Sequence, residues 1–151
     1  MKGKKASILI VEDLRNWQEV FSSILKDEYE VQVAGSYDQA IQLLEDDNSS
    51  FELVITDIRL DDSNVMDESG FRLLEEVGKS REYISTIVVT GYPTLETVRK
   101  ALHDFDAFDY IEKYPSDGEF SIVQFRDTVS KAIDNTKKRR AIAQVAKSAV
   151  S

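Results

Sequence analysis

Four short apolar runs in this sequence each lead into residues able to do chemistry. Ile8-Leu9-Ile10-Val11 is followed by Glu12-Asp13, Leu53-Val54-Ile55-Thr56 by Asp57, Val88-Val89 by Thr90-Gly91, and Tyr110-Ile111 by Glu112 and Lys113. On one edge of a fold, Glu12, Asp13 and Asp57 would repel one another strongly unless a cation sat among them. Close oxygen ligands are what Mg2+ takes, usually one or two carboxylates plus waters and phosphate oxygens. Lys113 would add a compact positive charge suited to a phosphoryl oxygen or to one carboxylate, and Thr90 a hydroxyl for the same oxygen. A nucleophile, a metal, a cation and a hydroxyl donor are the parts for in-line phosphoryl transfer onto a carboxylate. Taken singly, each residue has a plainer role. Asp13 would cap a helix, Asp57 would follow a strand in a turn, Lys113 would be solvated, and Thr90 before Gly91 is ordinary turn chemistry. The joint pattern in this chain order is what points to chemistry.

These residues need elements that bring them together, and the hydrophobic pattern supplies them. Ala6 to Val11 reads as a buried strand, and Arg15 to Lys26 as a helix with Trp17, Val20, Phe21, Ile24 and Leu25 on one face. Tyr29 to Gly35 is a weaker second strand. Ser36 with Gln39 forms a capping box for a second helix. Phe51 to Ile58 is the third strand, followed by an acidic loop from Arg59 to Ser69 and a helix on Phe71, Leu73, Leu74 and Val77. Ser85 to Val89 is the fourth strand. Thr94 caps a fourth helix on Leu95, Val98, Leu102 and Phe105, with His103 on its exposed side and without chemistry. Ala107 to Ile111 is the fifth strand, and a last helix starts at either Ser116 or Ser121. Five strands alternating with five helices imply an α/β fold, a parallel sheet with helices on both faces, because each parallel crossover needs a helix. The near-continuous apolar strands agree. Ligands of such open sheets sit outside the carboxyl ends of the strands, where the polar residues stand.

Composition narrows the function classes. The chain has 151 residues, about one domain, with 42% hydrophobic and 31% charged residues, enough for one core. Zero cysteines exclude a disulfide framework and a Cys nucleophile, and the lone His103 excludes a multi-His metal centre. The amino end is basic, but its apolar run is too short for a signal h-region or a membrane span, so a soluble, cytoplasmic protein is expected. The net charge of -9 is unevenly spread. The five basic residues Lys137, Lys138, Arg139, Arg140 and Lys147 lie in an acid-free tail, which leaves a strongly acidic body. Such a body holds neither nucleic acid nor anionic lipid by its own field and attracts a cation or a basic partner.

Ile8 to Asp13, Leu53 to Asp57, Val88 to Gly91 and Phe108 to Lys113 together resemble the receiver domain of two-component response regulators, over about residues 6–135. The resemblance implies a doubly wound, flavodoxin-like (βα)5 fold with strand order 2-1-3-4-5. It further implies Asp57 as phosphoacceptor, Glu12 and Asp13 as the acidic pair holding Mg2+, and Arg59 as the position offering a backbone carbonyl to the metal. Thr90 and Tyr110 correspond to the switch pair, and Lys113 to the lysine that contacts the phosphoryl group. The implied partner is a histidine kinase or histidine phosphotransfer protein; a second copy, through the face of the fourth helix, fifth strand and last helix or through the C-terminal helix, is a further option, and the C-terminal stripe would otherwise pair with another partner or fray. The protein would then be a regulatory module, an enzyme only toward its own phosphorylation and dephosphorylation.

The sequence also departs from the pattern. Receivers usually carry a proline four residues after the phosphoacceptor and a glycine four further on; here Asp61 takes the first place and the glycine is delayed to Gly70, which lengthens the loop by five residues. Its acids Asp61, Asp62, Asp67 and Glu68 are expected to be solvated. Tyr114 separates Lys113 from Pro115, where the family has a cis-bonded proline. A cis bond without proline costs roughly 2.5–4 kcal/mol, so a rearranged backbone is expected there. Asp106 replaces a common glycine and tolerates a left-handed helix end.

Three rival functions compare as follows. An aspartate-nucleophile phosphatase of the haloacid dehalogenase type needs a second Asp where Arg59 stands. An FMN carrier needs a phosphate-cradling first loop, whereas Glu12-Asp13-Leu14-Arg15 would repel phosphate. A pseudo-receiver that binds a partner without phosphorylation stays open. Residues 1–135 are expected to form the receiver and 136–151 a basic helical extension or linker, helical to about Ala141, with Ala141, Ile142, Val145, Ala146 and Ala149 as an apolar stripe. No output domain fits after residue 135.

Overall fold

The computed structural model describes residues 3–80 and 82–150. Its centre is a five-stranded parallel sheet in the order β2-β1-β3-β4-β5, built from β1 (Ser7–Val11), β2 (Glu30–Ala34), β3 (Leu53–Thr56), β4 (Ser85–Thr90) and β5 (Asp109–Glu112). The expected fold class and strand order are therefore those observed. β1, β3 and β4 are buried on both faces, in keeping with their continuous apolar sequences. Alternate residues of β1 divide the core. Ile8 and Ile10 pack with Trp17, Phe21 and Leu25 of α1 (Arg15–Leu25) and Phe125, Val129 and Ile133 of α5 (Ile122–Val150). Leu9 and Val11 pack with Ala40 of α2 (Tyr37–Glu45) and Leu73 and Val77 of α3 (Ser69–Lys79).

Several boundaries differ from the sequence expectation, each for a local reason. The α2 capping box is split. Ser36 Oγ accepts from the Gln39 amide, but Gln39 Oε1 accepts from Gly35 N–H, one residue before the cap. The fourth helix is two pieces, α4 (Leu95–Arg99) and a π-helical turn Lys100–Asp104, which brings fully buried Ala101 and stacked Phe105 against the α3 side of the core near Phe71. Asp106 closes that turn with φ 55°, the left-handed conformation expected of it. β5 starts two residues late because Ala107 N–H bonds back to Ala101 C=O, finishing the π turn before the ladder begins. Of the two capping signals for α5, Ser121 is used, its Oγ accepting from Gln124 N–H.

α5 does not end near Ala141; it runs as one helix to Val150. Its 29 residues span about 43 Å at about 1.5 Å per residue, and a run free of Pro and Gly and rich in Ala, Lys and Arg has no internal stop. Nor is the basic run merely solvated. Arg140 donates to the Glu82 and Phe51 carbonyls at 2.7 and 2.8 Å, and fully buried Thr136 joins Ser85 of β4 to the Glu52 carbonyl. Beyond them Ile142, Val145 and Val150 are exposed. No helix of the described residues is long and apolar enough to cross a membrane.

Candidate functional site

The parallel sheet delivers the ends of β1, β3, β4 and β5 to one edge, and three of the charged residues found there are buried. Glu12, Asp57 and Lys113 are 1%, 4% and 3% exposed. Far from being solvated, Lys113 places its Nζ 2.7 Å from Asp57 Oδ2 and 2.7 Å from Glu12 Oε2. Asp57 Oδ1 accepts from Ile58 N–H at 2.7 Å and Glu12 Oε1 from Leu14 N–H at 3.1 Å. Lys113 donates to Asp57 Oδ2 and forms an equally close ion pair with Glu12 Oε2, so the two carboxylates share one ammonium. Burial pushes the Glu12 pKa up to about 7 although Lys113 pulls it down. Burial lowers the Lys113 pKa, but Asp57 and Glu12 outweigh it, and the ammonium is held above its ordinary value.

Asp13 is half-buried, and it does not cap α1. The N-cap is Leu14, with no side-chain bond, and Asp13 Oδ2 instead accepts from Asp62 N–H at 2.7 Å. The lengthened loop thus folds back onto the acidic pair. Its acids are not simply solvated. Asp67 Oδ2 accepts from Leu60 N–H and the Ser69 hydroxyl; burial works against its ionisation, but these bonds hold its pKa below the ordinary value. Glu68 pairs with Lys100 at 3.0 Å, and Asp62 takes the Tyr92 hydroxyl at 3.3 Å. Arg59 lays its guanidinium 3.7 Å from the centre of the Tyr92 ring. Gly70 packs directly on Asp57, and a Cβ there would lie 2.0 Å from the Asp57 carbonyl oxygen.

Thr90 is fully buried, its hydroxyl accepting from Tyr92 N–H at 3.2 Å. Tyr110 is half-buried among the core residues around Phe71 and Val88, and its hydroxyl meets Thr97 Oγ1 of α4 at 2.9 Å. No peptide bond of the described residues is cis. The rearrangement at Tyr114 takes another form, in which the Tyr114 hydroxyl accepts from Trp17 Nε1–H at 2.9 Å. Sequence reasoning placed Trp17 only in the core and missed Tyr92, Thr97 and Tyr114 as neighbours of the site. No short-range pattern marks them, since each pairing crosses between elements.

No three acidic or histidine side chains of the described residues stand close enough to cage a metal ion. Mg2+ does not require that, because it keeps several waters and takes only one or two carboxylates. The carboxylates at this edge, Glu12, Asp13 and Asp57, offer only hard oxygens. This donor set suits Mg2+, which Glu12, Asp13 and Asp57, with the Arg59 carbonyl, would hold.

Known proteins share this fold. The family model of the response regulator receiver domain matches residues 8–123. An NtrX-like response regulator of Rickettsia bellii is 32% identical over 143 residues, covering 86% of this chain and 29% of its own length. The chain thus spans under a third of that relative. Among solved structures, a CheY-like receiver domain protein from Methanospirillum hungatei superposes with a TM-score of 0.73 at 29% identity, over 90% of this chain and 99% of its own. NtrX from Brucella abortus, in complex with ADP, gives 0.77 at 25% identity over 93% of this chain and 30% of its own. With the model match covering most of the sequence and its strand-end residues assembled at one edge, the chain belongs to the response regulator receiver domain family.

Proposed function

We propose that Asp57 accepts a phosphoryl group from a phosphohistidine of a histidine kinase or histidine phosphotransfer protein, and that the acyl phosphate biases a switch surface. The observation that carries the reading is a buried carboxylate at the end of β3, hydrogen-bonded at 2.7 Å to an equally buried lysine and flanked by a second acidic pair. An Asp57 oxygen forms the O–P bond as the P–N bond breaks, and the electron pair leaves on the imidazole nitrogen. Lys113, already held at Asp57, meets the incoming phosphoryl oxygens. Held by Glu12, Asp13, Asp57 and the Arg59 carbonyl, Mg2+ would supply charge neutralisation at those oxygens. We further propose residues 1–135 as the receiver and 136–151 as a basic helical extension or linker, whose first part still bonds to the body through Thr136 and Arg140. The test is intact mass after incubation with acetyl phosphate and Mg2+, where one hydroxylamine-labile phosphoryl group is expected. No gain would sink the reading and leave the pseudo-receiver, which the Asp62 bond to Asp13 favours by engaging one of the metal-facing oxygens.

Asp13→Ala should weaken Mg2+ binding by more than about tenfold, since even an outer-shell partner is typically worth about 10- to 100-fold. Lost carboxylate repulsion and the lost Asp62 bond act in opposite directions on the apo fold, so its melting temperature should hardly move. Unchanged Mg2+ affinity by titration would remove Asp13 from the metal site.

For the switch, a phosphoryl group shifts the equilibrium only through contacts that differ between states. The buried Thr90 hydroxyl, now spent on Tyr92 N–H, is the group free to re-pair, and Tyr110 and Thr97 would follow through α4. Thr90→Ala should still phosphorylate but lose most of the wild-type NMR shift change across residues 95–105. Retention of the full change would place the switch elsewhere.

A further inference from the structure

We propose that Trp17 and Tyr114 are positioning residues for Lys113, a brace from α1 that sets how fast the phosphoryl group is transferred to Asp57. The inference rests on the reading of Asp57 as phosphoacceptor. β5 ends at Glu112, and the Lys113 amide makes the last bond of the strand, to Thr90 C=O at 2.9 Å. Past that bond the sheet no longer fixes the chain. The next residue, Tyr114, is 66% exposed, yet its hydroxyl is tied to the indole N–H of Trp17 at 2.9 Å. The two rings meet edge to face with centroids 5.6 Å apart.

Trp17 is itself held in the core. It is 7% exposed and packs against Phe21 and Phe120 at centroid distances of 5.3 and 5.4 Å. Its ring also lies 5.3 Å from the Lys113 ammonium, within cation–π range. One indole therefore restrains Lys113 twice, through its face at the ammonium and through its N–H at the following residue. The Tyr114 ring is seated over Gly91, next to Thr90, where a Cβ would come within 3.2 Å of it. The pair of Trp17 and Tyr114 thus ties the residue after Lys113 to α1.

The experiment compares wild type, Tyr114→Phe, Trp17→Phe and the double variant in acetyl phosphate and Mg2+, varying the donor. Wild type must first phosphorylate; if it does not, the phosphoacceptor reading fails, and the brace with it. Given phosphorylation, Tyr114→Phe keeps the ring and loses the bond. It should lower the maximal rate about fivefold, the rate equivalent of one hydrogen bond, with half-saturating donor concentration unchanged. Trp17→Phe should lower it further by also weakening the contact with the ammonium. The double variant should match Trp17→Phe alone, because the bond is already gone. The Trp17 fluorescence of Tyr114→Phe should shift as its N–H loses its partner. A wild-type maximal rate in Tyr114→Phe, or additive losses in the double variant, would overturn the brace. A pair that served stability alone would move the melting temperature and leave the rate per folded molecule untouched.

Discussion

Asp57→Asn should take no phosphoryl group from acetyl phosphate in the presence of Mg2+, a loss of at least about 10³-fold, comparable with removal of a nucleophile in other covalent transfers. The amide is nearly isosteric, so packing beneath Gly70 is preserved, and its oxygen can still accept from Ile58 N–H, the bond made now by Asp57 Oδ1. What disappears is the anionic oxygen. An amide does not form a stable phosphoryl ester, and it cannot share charge with a metal as a carboxylate does. Lys113 is not stranded by the change, since Glu12 Oε2 remains 2.7 Å from its Nζ. A buried charge left without any partner would cost several kcal/mol, but here the second carboxylate takes over, so the variant should fold and the loss should be one of chemistry. Glu12 would then gain the lysine's full attraction and ionise more readily than in the wild type. Intact mass with hydroxylamine treatment reads the result, and a labile phosphate persisting on the variant means that another residue is the acceptor.

The parts of this arrangement that were legible in the sequence are those set by repeating patterns. Continuous apolar runs at Ile8 to Val11, Leu53 to Thr56 and Ser85 to Val89 require burial on both faces, and burial on both faces requires helices between the strands. From that alone Glu12, Asp57, Thr90 and Lys113 had to arrive at one edge. What the runs do not carry is where an element stops or which side chain from elsewhere completes a pair. α5 outlasted its expected end because its run has no Pro or Gly to stop it, while the reach of Arg140 to two carbonyls far away in sequence is recorded by no local signal. The loop after Asp57 read as solvated acid, since Asp67 looks the same in sequence whether it faces water or collects N–H and O–H groups from Leu60 and Ser69. Tyr114 read as an interruption and is a hydrogen-bond partner. Pairings between elements are decided by three-dimensional fit, and they are where the reading fell short.

Gly70 shows how the insertion and the site are tied together, and its replacement should have the largest effect on stability. The glycine came later in the sequence than the family pattern places it, yet it does a job that only glycine can do. An alanine Cβ at 70 would lie 2.0 Å from the Asp57 carbonyl oxygen, 2.7 Å from Ile58 Cα and 2.9 Å from the Asp57 carbonyl carbon. Its φ is not positive, so the requirement is one of space and not of backbone freedom. All three neighbours are main-chain atoms, with no flexible side chain to swing aside, and Gly70 N–H is fixed to Ile58 C=O at 2.9 Å. Overpacking of a core typically costs about 1–3 kcal/mol; with only backbone to displace, Gly70→Ala should reach about 3 kcal/mol or beyond. The displaced backbone is that of Asp57, so phosphorylation should slow along with the loss of stability. Gly78 on the same helix is the internal control, because nothing lies within 4 Å of a Cβ there. Gly78→Ala should gain about 0.5–1 kcal/mol from helix propensity. Urea denaturation of the two variants should therefore move the midpoint in opposite directions from the wild type. A Gly70→Ala protein as stable as the wild type would show that α3 can pull away from Asp57 at little cost, and that the close approach is incidental to the site.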